Sequence, residues 1–448
     1  MTRPASGELA AQVRLAIPLA GQQLGFELMG AVDAALLGHY DDTALAACGI
    51  ANNLLFAITS IGLGIVMGLD AVVPRAIGAG DLAGARSYVS AGLRLDVIVG
   101  VPCSVLVLAT PLILNLADIS RDVAADARTY VYLRAIGIVP FLLSVALRSY
   151  LAAHDVTRPL IVAVIAGNVA NAAFDLGLIF GVDAIGLPAL GVAGAAIATV
   201  TVQLVTVGLY FAAVRAVDLG VPRPAAARGD LATVARYGGP IAGQLFAEVG
   251  IFGVATVLAA HLGKLPSAAH AIALNIASFT FAVAVGVGSA TNVRVGMAFG
   301  AGDVALARRR GLSGVGIGFV VMGVFAIAFV ALPGVIARVF TDDADVVAAT
   351  IPLLQIAALF QLSDGAQAIA AGALRGIGDT RGTLIGNLVG HYGIGLAISL
   401  ALGFGAGLGA PGLWWGLSAG LTVTAVYLVI RFVRVTTTRT RDRSAAAQ

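Results

Sequence analysis

The chain repeats one pattern from end to end. Unbroken apolar stretches of roughly 20–30 residues, long enough for an α-helix to cross a bilayer, are each closed by a short break rich in Gly, Arg or Asp. Inside hydrocarbon a segment must satisfy its own backbone hydrogen bonds, and a single stretch of this length does so as a helix. Membrane barrels instead read as short alternating strands. The breaks divide the 448 residues into twelve segments, at about 13–38, 46–70, 89–115, 127–152, 159–181, 189–213, 236–261, 268–293, 311–335, 346–374, 383–406 and 412–433. Only 11% of residues are charged and 59% are hydrophobic, against about 25% charged in a soluble domain. A soluble enzyme, a disordered chain and a nucleic-acid binder are excluded. The expected fold is an all-α polytopic membrane protein whose first partner is the lipid bilayer.

Basic residues set the orientation. The termini and the breaks after even-numbered segments hold twenty-two arginines. The opposite side holds Arg121, Arg128, Lys264 and Arg338, and Arg134 falls inside the fourth segment. The positive-inside rule places both termini in the cytoplasm, which requires an even number of spans. The plasma (inner) membrane is the expected location. No removable signal peptide is read at the N-terminus, because no small-residue cleavage site follows a short apolar core. Trp414 and Trp415 open the last span and read as interfacial belt residues. His270 reads as interfacial, and Asp70 and Asp96 as solvated or capping groups near span ends. Cys48 and Cys103 are too few and too far apart to imply a disulfide framework or a metal cluster.

The two halves repeat. Residues 76–86, AIGAGDLAGAR, and 298–308, AFGAGDVALAR, match at eight of eleven positions with an offset of 222. The same offset relates Pro18–Gln22 to Pro240–Gln244, and an offset of 223 relates Thr157-Arg158 to Thr380-Arg381. Six helices per half give a parallel repeat, with lobes at 1–222 and 223–448, the second ending in a short cytoplasmic tail, and a substrate path expected between or within them. In the repeated Gly-x-Gly-Asp break the glycines permit positive φ, and Asp81 and Asp303 can cap the following helix. This elbow reads as structural, with Arg86 and Arg308 at the membrane edge.

An ionised side chain at the bilayer centre costs at least about 2.5–3.5 kcal/mol, so deep acids point to function. Five lie within segments: Glu27 and Asp33 in the first, Asp175 in the fifth, Glu248 in the seventh and Asp364 in the tenth. Apart from Arg134, near one end of its span, no base is placed to neutralise them. Acids with few cationic partners favour protons, sodium ions or organic ammonium compounds. Asn171 and Asp175 are four apart and share a helix face, and Thr199 and Thr201 can add hydroxyls to an N-terminal cluster with Asp33. Gln244 and Glu248 are again four apart, and Gln361 and Asp364 three apart. Glu248 and Asp364 together offer the oxygen ligands a hard cation such as Na+ takes; the same pair can instead hold a proton. Glu27 and His391 are weaker members of these sets, His391 being as readily a helix contact as a proton carrier.

Enzyme signatures are lacking, and no prosthetic cofactor is expected. Gly407–Gly412 matches G-x-G-x-x-G but follows no strand. Lys264 is the single lysine and lies outside any P-loop pattern, so an ion gradient is the expected energy source.

Ordered along the chain are AVDAALLGHY (31–40), AIGAGD (76–81), NVANAAFDLGLIFG (168–181), GVAGAAIAT (191–199), GQLFAEVGIF (243–252), AFGAGD (298–303) and FQLSDGAQAIAAGALRGIGDTR (360–381). In order and spacing these resemble the MATE (multidrug and toxic compound extrusion) transporters, and more closely the NorM-like branch. The resemblance implies twelve transmembrane helices in two six-helix pseudo-symmetric lobes, and an antiporter that exports organic cations against Na+ or H+. By motif, Asp33, Asn171 and Asp175 match the family's N-lobe cation or proton site, and Glu248 and Asp364 its C-lobe cation site. Both constellations are present, which leaves the coupling ion open. The competing expectation is a flippase for lipids or lipid-linked precursors, whose phosphates would call for deep Arg and Lys rather than acids. Duplicated halves can complete a pathway within a monomer.

Overall fold

The computed structural model describes residues 5–114, 120–218 and 228–446. Over these residues the chain forms α1 (Ala5–Tyr40), α2 (Asp42–Val66), α3 (Gly68–Gly78), α4 (Leu82–Leu114), α5 (Arg121–Ala135), α6 (Ile138–Ala153), α7 (Arg158–Phe180) and α8 (Val192–Val217). It continues with α9 (Arg228–His261), α10 (Lys264–Gly300), α11 (Val304–Ala331), α12 (Pro333–Arg338), α13 (Ala344–Gly376), α14 (Thr380–Asn387), α15 (Leu396–Leu400) and α16 (Ala410–Ala446). Two π-helical segments, Leu388–Gly395 and Ala401–Gly405, flank α15.

Among the described residues ten helical stretches are long and apolar enough to cross a membrane. The pair α5–α6, bent by 45° at Ile136-Gly137, makes an eleventh. The twelfth expected segment is α1. Its 36 residues are ample for a crossing at about 1.5 Å per residue, but Gln22, Gln23, Glu27 and Asp33 dilute its apolarity below that of the others.

The helices form two compact units. The N-terminal unit comprises Gly21–Leu69 and Asp81–Ala242, and the C-terminal unit Met1–Ala20, Asp70–Gly80 and Gly243–Gln448. In the first, α2 packs on α5, α4 on α6 and α7 on α8; in the second, α13 packs against α10, α11 and α16. The duplication reappears in the contacts. A Cβ on Gly64 would lie 2.2 Å from Ala242 Cα within the N-terminal unit, and a Cβ on Gly286 would lie 2.2 Å from Ala20 Cα within the C-terminal unit. Both partners shift by 222 residues. Small residues of this kind let membrane helices approach backbone to backbone. The two elbows also match: Gly80 and Gly302 have φ of 77° and 84°, and Asp81 and Asp303 each accept a backbone N–H at 2.8 Å, from Gly84 and Leu306.

Several polar residues sit elsewhere than expected. Trp414 is fully buried, not interfacial; its Nε1–H donates to His270 Nδ1 at 3.2 Å, and its ring centroid lies 5.4 Å from that of Phe360. Only Trp415 is exposed. His270 is likewise buried rather than interfacial, its Nε2 3.3 Å from Thr256 Oγ1. Burial suits this pair because each ring nitrogen finds a partner. Asp70 is buried, and its backbone carbonyl accepts from Asn292 Nδ2 at 3.1 Å. Asp96 is neither solvated nor a cap. It is fully buried within α4, and neither carboxylate oxygen has a hydrogen-bond partner among the described residues. One turn before it Gly92 packs on Leu69, and one turn after it Gly100 packs on Val139 and Leu142. These glycines bring apolar neighbours close on the face that Asp96 shares. Arg86 is buried in an ion pair with Asp218 at 3.0 Å.

Candidate functional site

Within the N-terminal unit Asp33 (α1), Asn171 and Asp175 (α7) and Thr199 (α8) are all buried. The four-residue spacing on α7 aims Asn171 and Asp175 the same way, and both lie within side-chain range of Asp33. Thr199 Oγ1 is 2.9 Å from Asp33 Oδ2 and 3.0 Å from the Ala195 carbonyl. The hydroxyl has one proton to donate. It can donate to an ionised Asp33, or donate to Ala195 and accept from a protonated Asp33. Asp33 Oδ1, both oxygens of Asp175 and both amide atoms of Asn171 have no hydrogen-bond partner among the described residues. Buried polar groups are normally satisfied. A proton on one of the acids, or a bare cation, would supply what this cluster is short of.

Arg134 and Cys48 prove to be neighbours of this cluster, together with Tyr130 and Asn52, which nothing in the sequence singles out. Arg134 lies in the last turn of α5, at the break in its span rather than near one end, and is placed to act electrostatically on Asp33. Its guanidinium carbon is 5.9 Å from the Tyr130 ring centroid. Tyr130 donates to Asn52 Oδ1 at 3.3 Å, and Asn52 Nδ2 lies 3.3 Å from Cys48 Sγ. The available signal was Gly137, which marks the break two residues beyond the α5 terminus. Thr201 is not part of the cluster; its hydroxyl donates to the Ile197 carbonyl at 2.8 Å. Glu27 is exposed and stands apart. One turn from Thr199, Gln203 lines a cleft with Phe26, Met29, Phe141, Asn168 and Tyr210.

The C-terminal unit assembles a second cluster. Glu248 and Gln244 on α9 and Asp364 on α13 are buried, and Gln244 and Asp364 lie within range of Glu248. The amide that reaches Glu248 is that of Gln367, donating from Nε2 to Oε1 at 3.4 Å. Gln361 is fully buried, but neither of its amide atoms has a hydrogen-bond partner among the described residues. Three-residue spacing on either side of Asp364 was consistent with both glutamines. Arg375 acts on Glu248 electrostatically. His391 is buried, and among the described residues neither ring nitrogen has a hydrogen-bond partner; its ring centroid lies 6.5 Å from that of Phe252. Among the described residues no three His, Cys, Asp or Glu side chains converge as a metal cage. Any cation held here would use two carboxylates and neighbouring amide oxygens.

The family model MatE matches residues 18–176 and 240–401, one match in each half. The chain is 36% identical to a probable multidrug resistance protein NorM of Deinococcus radiodurans, over 98% of both chains. It is 33% identical to a protein of the same description from Pseudomonas putida, over 95% of this chain and 94% of that one. Among solved structures it is similar to a eukaryotic MATE transporter, with a TM-score of 0.89 at 20% identity over 97% of this chain and 98% of the other. A further match, described as the outward-facing conformation of a multidrug resistance MATE transporter of the MOP superfamily, has a TM-score of 0.86 at 20% identity and covers 96% of each chain. With its family model matched in both halves and NorM relatives matched along nearly its whole length, the chain belongs to the MATE family, in its NorM-like branch.

Proposed function

We propose that this protein is a multidrug efflux antiporter that exports organic cations in exchange for Na+ or H+ across the inner membrane, with both termini cytoplasmic and lobes at 1–222 and 223–448. The observation that carries the reading is the pair of buried acid clusters, Asp33/Asp175 and Glu248/Asp364, on helices long enough to cross a membrane. Bare carboxylates in a dry membrane are costly. Exchanging one cation for another keeps them neutralised through alternating access. Entry of the coupling ion satisfies the acids and releases the drug; arrival of the drug cation favours release of the ion. The aromatic and Met-lined cleft beside Gln203 suits varied apolar cations, because such surfaces adapt to many shapes. Gln203 and Thr199 share one face of α8, which gives the cleft a short route to the N-terminal cluster.

The test is dye movement in proteoliposomes holding a fluorescent organic cation, with membrane potential clamped. A sodium gradient at equal pH is compared with a pH gradient lacking sodium. Movement under either gradient supports antiport and identifies the ion. Glu248→Gln and Asp364→Asn should each abolish coupled movement while leaving folded yield unchanged; full activity in both variants would refute the C-terminal assignment. No movement of the folded protein under either gradient would refute antiport and favour the flippase.

A further inference from the structure

We propose that Arg134 is the fixed counter-charge of the N-terminal cluster, holding Asp33 as the anion so that the cluster takes one monovalent cation, on Asp175, rather than two. The inference deepens the antiport reading above and rests on it for its place in transport.

Three observations converge. Two carboxylates, Asp33 and Asp175, face each other in a buried site. Arg134 Nε and Nη1 are also buried and have no hydrogen-bond partner among the described residues. Its electrostatic partners are members of this cluster: Asp33, Tyr130 and Cys48. The break at Ile136-Gly137 is what allows it. A Cβ on Gly137 would lie 2.3 Å from Gln203 Oε1, so the glycine lets α8 close on the bend, and α5 ends there with Arg134 Nε and Nη1 buried and acting electrostatically on Asp33.

The charge count follows. A buried cation without a counter-ion is as costly as a buried anion. With Arg134 charged, ionised Asp33 is balanced, and only the second carboxylate needs a cation from outside. Thr199 is on the Asp33 side, at 2.9 Å from Oδ2, where its hydroxyl serves an anion. Neither oxygen of Asp175 has a donor among the described residues, as suits the group that is filled and emptied. Among the described residues the titratable groups linked electrostatically to Arg134 are Asp33 from α1, Cys48 from α2 and Tyr130 from α5; Asp175 from α7 stands beside Asp33, and α8 contributes the non-titrating Thr199 and Gln203.

The test counts protons without requiring transport. Full-length protein in nanodiscs, with Glu248→Gln and Asp364→Asn silencing the other cluster, is titrated with acid from about pH 9 to about pH 5. Uptake is read relative to the same protein carrying Asp33→Asn and Asp175→Asn. The parent should take up one proton at this cluster and Arg134→Gln two, whereas Arg134→Lys should keep one. Asp175→Asn should take up none, because Asp33 and Arg134 then balance. Adding Arg134→Gln to Asp175→Asn should restore one, a rescue that a merely structural arginine would not produce. Equal uptake by parent and Arg134→Gln, or one proton remaining in Asp175→Asn, overturns the proposal. If Arg134→Gln does not fold, the Asp175→Asn count alone decides. The readout is equilibrium binding, so absence of dye transport would refute antiport and leave the charge count to stand or fall separately.

Discussion

The paired glycines Gly64 and Gly286 give the sharpest structural test. At each, an added methyl would meet the partner's backbone, with Cα of Ala242 or Ala20 at 2.2 Å and its backbone nitrogen at 2.4 or 2.3 Å. No flexible side chain is available to swing aside. Reaching even a close contact of 3.4 Å requires the helices to part by about 1.2 Å. Overpacking of this kind costs about 1–3 kcal/mol, and parting the helices loses dispersion contacts along the seam. The Gly→Ala gain in helix propensity returns at most about 1 kcal/mol. Gly64→Ala and Gly286→Ala should each destabilise by a net ~1–2 kcal/mol. The control is Gly316→Ala on α11, which is exposed with nothing within 4 Å of its added methyl and should be neutral or stabilising. Thermal midpoints of purified protein, compared at one scan rate because membrane proteins often unfold irreversibly, decide the matter. Midpoints for the two variants at or above that of Gly316→Ala would refute the packing argument. A loss at one glycine and not the other would refute the equivalence of the repeated contacts.

Two further outcomes follow. Thr199→Val should make the ionised form of Asp33 about tenfold or more less favourable, since a hydrogen bond to a charged group is worth ~1.5–3 kcal/mol, whereas Thr199→Ser should titrate like wild type; acid titration of the two variants in the Asp175→Asn background checks this. Ahead of the first span, Glu8 accepts from Arg310 Nε at 2.9 Å and Nη2 at 3.2 Å, and pairs with Arg294. The Arg310 hydrogen bonds, with help from Arg294, hold its carboxyl below the usual carboxylate value. A depressed carboxylate stabilises the fold above its unfolded value of 4.5, and that stability is lost as pH falls through the folded value. Glu8→Gln should therefore lower the thermal midpoint at neutral pH, and the gap to wild type should close on acidification; a gap independent of pH would refute the ion-pair account.

What could be read from the sequence was what local periodicity encodes. Apolar run length gave the helices, the 222-residue offset gave the repeat, and four-residue spacing put Asn171 with Asp175. Rotation about a helix axis, and the depth at which one helix meets another, are not local properties. Gln361 and Gln367 stand symmetrically about Asp364, and only the packing of α13 against its neighbours brings Gln367 to Glu248. Distance from a span end says little about Asp96 and His270, because burial follows from which face meets a neighbour. Trp414 and Trp415 are adjacent, and one is fully buried while the other is exposed. Arg134 was visible as a residue, but its role depends on a bend at Gly137 that redirects the end of α5. The two clusters also show that sites need not follow the repeat: an offset of 222 carries Asp33 to Ala255, Glu248 to Phe26 and Asp364 to Leu142.

The unit boundaries have a consequence for synthesis. The leading part of α1, through Ala20, belongs to a unit otherwise built from Asp70–Gly80 and Gly243–Gln448. Gln12 hydrogen-bonds Thr291, Glu8 pairs with Arg294 and Arg310, and Ala20 abuts Gly286. At about 5–20 residues per second, these partners leave the ribosome on the order of tens of seconds after the residues that await them. The N-terminal segment thus enters the bilayer early and remains without its final neighbours until translation is well into the second half. A chain truncated after the sixth span should leave that segment without its partners permanently, so the two repeated halves should not fold as independent units.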